Sequence, residues 1–287
     1  MTVKIPAALI VSLSLAAVAE AGTASGAFTL QKGTSISPKH AVAYVVRDQR
    51  DARKKQVEIL LTTMPLEPTA LQTALDPHMA AINHDALMKS NYVLLWIGSD
   101  GSVTMNATYG ASMKQFINDT TDGLKATLTT NTATKVEGRV TTAAPVGEGD
   151  SAYSVDLSFS VDVPVSAGQP LPAGGGEAGK AFTALLAAAQ KKNWAGVTAV
   201  TTPSMQKMLG ADYNTPAENG AYALDMIKAW VPMAKTKVGA GELRGDTAIL
   251  DVEGEMFPGM RGLTLVKLVK SSGAWKVDQI QRAGLLP

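Results

Sequence analysis

The chain has 287 residues, with 26 basic side chains against 25 acidic ones and no cysteine. That balance excludes the strongly basic footprint of a dedicated nucleic-acid binder. The missing thiol excludes disulfides, thiolate metal sites, iron–sulfur clusters, a cysteine nucleophile and a lipid-modified N-terminal cysteine.

The first element reads as an address. Met1-Thr2-Val3-Lys4 carries one cation, Ile5 to Val18 is apolar except at Pro6, Ser12 and Ser14, and Ala19-Glu20-Ala21 precedes Gly22. A charged start, a short apolar run and a small-residue cleavage site describe a secretory signal peptide, residues 1–21, and hence a periplasmic or extracellular protein. The competing reading is an N-terminal anchor or a buried helix. The run falls short of the roughly 20 residues a membrane span needs, and no later stretch approaches that length, so no span is expected in the mature chain. The alanine- and glycine-rich composition points to a bacterial source.

Residues 28–165 are expected to form a β-rich domain. His40–Arg47 and Gln56–Thr63 read as strands, and the charge run from Arg47 to Lys55 between them reads as a solvated hairpin loop. Pro68 to Met88 is helical, with Leu71, Leu75, Met79 and Ile82 spaced by three and four. Pro77 splits it in two, because proline lacks the donor that an internal turn needs. Tyr92–Gly98 and Ser102–Tyr109 form a hairpin around Asp100-Gly101. Leu124–Thr130 and Lys135–Thr142 are further strands. The clearest runs from Tyr153 to Val163, where Tyr153, Val155, Leu157, Phe159, Val161 and Val163 alternate with Ser and Asp, as one buried face of an antiparallel sheet requires. Together these predict a mainly antiparallel β-sandwich or curled sheet with a helical insertion.

Residues 166–179, with Gly174-Gly175-Gly176 and two prolines, read as a flexible linker. A second domain, 180–287, then follows. Lys180–Lys192 carries Phe182, Leu185, Leu186 and Ala189 on one stripe, and Pro203–Leu209 is a short helix. Thr215-Pro216-Ala217-Glu218 caps a longer helix presenting Ala223, Met226, Ile227 and Trp230. Strands are predicted at Lys235–Leu243, Thr247–Glu255, Gly262–Lys270 and Ala274–Ile280.

Residues 178 to 284 resemble the nuclear-transport-factor-like superfamily, and most closely bacterial lumazine-binding-related domains of unknown function. The resemblance rests on Phe182-Thr183-Ala184-Leu185 followed by Lys192-Asn193-Trp194, on Gly245-Asp246-Thr247-Ala248, and on Leu265–Lys270 with Ser272–Asp278. It implies an α+β cone in which a curved sheet wraps a helix, and an interior that serves isomerases and dehydratases in some relatives. Carried to this chain, it implies a cone pocket walled by Tyr213, Tyr222, Asp225, Met226 and Trp230, although Met226 and Trp230 also suit packed core.

No catalytic motif emerges. The three histidines are His40, His78 and His84. Asp76-Pro77-His78 with His84-Asp85 is the densest ligand-type cluster, but positions six apart on a helix diverge by about 120°, so no metal is expected. Asp76 fits a helix cap instead. Asp251, Glu253 and Glu255 alternate with apolar residues and are expected on a solvated face. No cofactor is expected either. The leading expectation is a non-enzymatic protein of two tethered modules that binds a protein or a small apolar ligand. The alternative is a cone-pocket enzyme or carrier for an apolar or aromatic ligand.

Overall fold

The computed structural model describes residues 22–287 except 49–50, 69–70, 72, 110–113, 120–122, 166–167, 213–214 and 233. The expected signal peptide and Tyr213 therefore lie outside the described residues. No described helix is long and apolar enough to cross a membrane.

Two antiparallel sheets account for about half of the chain. The first holds β1 (Gly22–Leu30), β2 (Ser35–Ile36), β3 (His40–Arg47), β4 (Lys55–Thr62), β5 (Tyr92–Ile97), β6 (Val103–Tyr109), β7 (Lys114–Asp119), β8 (Leu124–Asn131), β9 (Lys135–Thr142) and β10 (Tyr153–Asp162). Its order is β7-β6-β5-β4-β3-β1-β10-β9-β8, with β2 appended to β1. The sheet curls into a half-barrel. Consecutive strands β7 and β8 thus stand at opposite edges. Alternation places Val155, Leu157, Phe159 and Val161 of β10 on the concave side, with Ile59, Leu61, Val93, Leu95 and Met105 from the far wing. Phe28 stacks on Tyr153 at 4.8 Å and meets Tyr109 at 5.8 Å. Burial pushes the Tyr109 hydroxyl up to about 12.

The helical insertion contains α1 (Pro77–Ile82) and α2 (Asp85–Met88). It covers the outer face of β3–β5, where Val42, Tyr44, Leu60, Tyr92 and Leu94 pack with Leu66, Leu71, Ala81 and Leu87. These central strands are buried on both faces. Pro77 opens α1 with Asp76 as its N-cap, accepting from Met79 N at 2.9 Å. Because the helix restarts there, the expected stripe changes phase: Leu71 and Leu75 are buried, whereas Met79 is exposed.

The second sheet runs β11 (Gln169–Leu171), β12 (Ala234–Arg244), β13 (Thr247–Phe257), β14 (Met260–Ser271), β15 (Ala274–Leu285). Helices α3 (Gly176–Gln190), α4 (Trp194–Ala199), α5 (Pro203–Met208) and α6 (Pro216–Trp230) bury Phe182, Leu185, Val197, Met205, Ala223 and Ile227 against Leu250, Val252, Val266, Leu268 and Val277. The capping box at α6 forms as the sequence predicts, with Thr215 and Glu218 satisfying each other's backbone.

The expected flexible linker is not slack where it is described. Gln169–Leu171 pair with β12, and Gly176 already belongs to α3. Gly174 donates to the carbonyls of Val238 and Gly239 at 3.1 and 3.3 Å. Gly174, Gly175 and Gly176 take φ of +85°, +69° and +57°, so the glycines serve a left-handed turn that other residues resist. Gly179, one turn into α3, faces the Gly174 carbonyl so closely that a Cβ would collide with it. In an exposed helix Gly→Ala gains about 1 kcal/mol. Here we expect Gly179→Ala to cost about 2 kcal/mol through overpacking against backbone. Urea denaturation checks this, and a gain in stability would contradict the close approach.

Candidate functional site: a polar seam between the sheets

Glu58 occupies an inner strand on the outer face of the first sheet and is only 3% exposed. Register places Tyr44 on one side of it and Trp96 on the other. Trp96 Nε1 donates to Glu58 Oε1 at 2.6 Å, and His78 Nδ1 lies 2.8 Å from Oε2. A carboxylate taken out of water needs such donors on both oxygens. The hydrogen bond that His78 donates to Glu58 holds its imidazolium above the usual histidine range, although burial opposes it. Burial first, and the Glu58 charge second, push the Tyr44 hydroxyl well above the ordinary tyrosine value, so Tyr44 stays neutral. Its Oη has no hydrogen-bond partner among the described residues. Chemically, the cluster holds a proton between His78 and Glu58, with the carboxylate buried and His78 and Trp96 partly exposed.

The same helix reaches the other sheet. Gln281 Nε2 of β15 donates to Asp76 Oδ2 at 2.9 Å, so α1 is tied to both sheets within three residues. Close by in sequence, the β3–β4 hairpin docks on the face of the second sheet opposite its helices. Arg47 Nη2 donates to Asp251 Oδ1 and Oδ2 at 2.9 and 2.8 Å. Ala52 N donates to the Leu285 carbonyl at 2.9 Å, and Ala52 packs with Leu263 and Leu286. Arg53 approaches Glu253 at 3.5 Å. The expected solvated loop and the expected solvated Asp251 are both corrected: hairpin and strand desolvate each other. Burial raises the Asp251 carboxyl more than Arg47 lowers it.

The residues implied by the resemblance are placed differently. Tyr222 and Asp225 are exposed on α6, while Met226 and Trp230 pack against the helical core. The Trp230 carbonyl accepts from buried Thr264 at 2.7 Å. His84 caps α2, accepting from Ala86 N at 3.3 Å, and no cluster of three metal-ligating side chains occurs among the described residues. Sequence reasoning flagged Asp76 and His78, read Arg47 as part of a solvated loop, and passed over Glu58 and Gln281. The available signal was a charged residue at a core position: Glu58 falls in phase with Leu60, within the run Val57–Leu61 that is otherwise apolar. No family model, curated protein or solved structure matches the chain.

The raised value of His78 gives a pH prediction. A group protonated more firmly when folded contributes stability that is complete below its unfolded value near 6.5 and is lost as pH rises through the folded one. Wild type should therefore lose stability as pH rises above about 6.5, and His78→Gln should flatten that loss. Urea midpoints across the range read this directly. Identical slopes in the two proteins would mean that the dyad is not titrating.

Proposed function

We propose that the chain is a non-enzymatic binding protein of the periplasm or extracellular space. Its two sheets are two modules, the second a nuclear-transport-factor-like unit, and they act as one body rather than as freely tethered parts. The observation that carries this reading is the insertion between β4 and β5. It is pinned to both sheets through Glu58–His78 and Asp76–Gln281, yet it turns Met64, Met79 and Met88 outward. Methionine is flexible and polarisable, and it is favoured where a surface must accept a partner's shape. Exposed apolar side chains on an anchored support present a docking surface whose entropy cost is largely prepaid by the fold. Four helices packed on one face of the second sheet support the cone-like assignment of that module. Gly22, which follows the expected cleavage site, already belongs to β1 and pairs with Ala41 of β3, as suits a mature chain beginning there.

The test is crosslinked capture from a periplasmic extract with wild type and with Met64→Ser/Met79→Ser/Met88→Ser. A partner that wild type retains and the triple variant releases is the expected result. Equal recovery by both would overturn the role of this surface. Limited proteolysis bears on the one-body reading, which expects residues 168–179 to resist cleavage.

A further inference from the structure

The β13–β14 hairpin ends in Phe257-Pro258-Gly259-Met260, with Gly259 at φ +75°. Proline followed by a left-handed glycine makes a tight turn. It projects past β12, whose pairing stops at Ala234 opposite Glu255. Phe257 and Met260 face each other across the turn and are 52% and 44% exposed. The apolar surface continues behind them. Leu285, 42% exposed, lies opposite Gly262, and the Met256 side chain crosses the space above Gly262 that a Cβ would fill. Arg282 sets its guanidinium 5.5 Å from the Phe257 ring centroid. It has no acidic partner among the described residues. Nearby, Arg53 and Arg261 share Glu253, and Lys235 pairs with Glu255. Three cationic side chains thus hold two carboxylates, and Arg282 adds a fourth cation beside Phe257.

A projecting turn differs from a groove or a flat patch. It offers a partner little area, but it carries its apolar side chains outward as a group. Flanking cations in excess of acids match a surface whose charge is negative and whose interior is apolar. Insertion of such side chains below a phosphate layer satisfies both features at once. We propose that the β13–β14 tip docks this protein on an anionic lipid surface. Phe257, Met260 and Leu285 enter the acyl boundary, while Arg282, stacked on Phe257, meets lipid phosphate. The proposal is independent of the methionine surface described above.

Because the chain has no cysteine, Met260→Cys offers a unique attachment point for an environment-sensitive fluorophore. The labelled full-length chain is mixed with vesicles of equal parts phosphatidylglycerol and phosphatidylcholine, and separately with phosphatidylcholine alone. The expected result is a blue shift and a rise in emission on the anionic vesicles only. Phe257→Ser should weaken partitioning roughly tenfold through lost apolar burial, and Arg282→Glu should do so by a similar factor through charge reversal. Both sites are at the surface, so circular dichroism and melting should match the parent. Four results would overturn the proposal. These are no partitioning, partitioning without a response at position 260, equal partitioning onto neutral vesicles, and a label shielded by an extract protein but not by lipid. None of them touches capture through Met64, Met79 and Met88, so the two readings fail separately.

Discussion

Replacing Glu58 by alanine is expected to cost about 3 kcal/mol of folding stability, the largest effect of any single change in the seam. Three groups depend on this carboxylate. The Trp96 indole N–H loses its acceptor at 2.6 Å, and His78 loses the counter-charge that keeps it protonated. Tyr44 loses the charged neighbour directly across the strand pair. An unsatisfied buried donor alone costs about 1–3 kcal/mol. His78 is partly exposed and can rehydrate, which keeps the total at the low end of the range for a broken buried pair. Glu58→Gln should cost about half as much, because an amide oxygen still accepts from Trp96 while the charge is gone. The two variants separate hydrogen bonding from charge. Both should return the His78 titration towards an ordinary histidine, which is readable by NMR with only three histidines to assign. A loss no greater than that of Glu177→Ala, at an exposed surface pair, would refute the assignment.

The second large effect concerns the joint between the sheets, and it is asymmetric. Arg47→Ala should cost about 3 kcal/mol, since it leaves the partly buried Asp251 without the guanidinium that pairs with both of its oxygens. Asp251→Asn should cost about 1 kcal/mol or less. The carboxyl already sits above its ordinary value of 3.8 because burial outweighs Arg47. A folded carboxyl raised in this way binds its proton more tightly than the unfolded chain does. As pH climbs from about 4 through the raised value, the group takes stability away rather than adding it. The asparagine variant removes that penalty, so its stability should vary less as pH rises above about 4. Arg47→Met/Asp251→Leu, which replaces both charges by apolar groups, should return close to wild type. Denaturant titrations of wild type and the three variants read these costs. Equal costs for the two single changes would show that the pair acts as a simple surface ion pair.

Much of the fold is legible where one periodicity governs a whole element. His40–Arg47 and Lys135–Thr142 are strands at those bounds, and Tyr153–Asp162 alternates as expected. Asp100-Gly101 turns its hairpin, and Gly245-Asp246 another. What escapes is what tertiary pairing imposes. Gly22–Leu30 is a strand although it is rich in glycine, alanine and threonine, because β3 and β10 supply partners on both sides. Lys114–Asp119 and Gln169–Leu171 are short and polar, and they extend only because a neighbour offers an edge. The glycines after Pro172 look slack by composition, yet they make a tight turn whose constraint becomes visible only once the Val238 and Gly239 carbonyls are in place. The site follows the same rule. Asp76 could be read as a cap from local sequence, whereas Glu58 with His78, and Arg47 with Asp251, join residues that no local pattern connects.

The position of β1 has a consequence for the order in which the molecule can be assembled. Strands β3 to β7 form a meander in which each pairs with its successor in sequence, and such local contacts form quickly. β1 is synthesised before any of them, yet its register along Thr23–Leu30 is written almost wholly by Tyr153–Ser160. Until Asp162 has been made, the first strand has little to hold it and the two wings of the half-barrel have nothing to join them. For a chain proposed to leave the cytoplasm, this topology acts as a built-in delay. The leading segment stays extended and threadable during transit, and the barrel wall locks only when the strand at the far end of the module arrives to close over it.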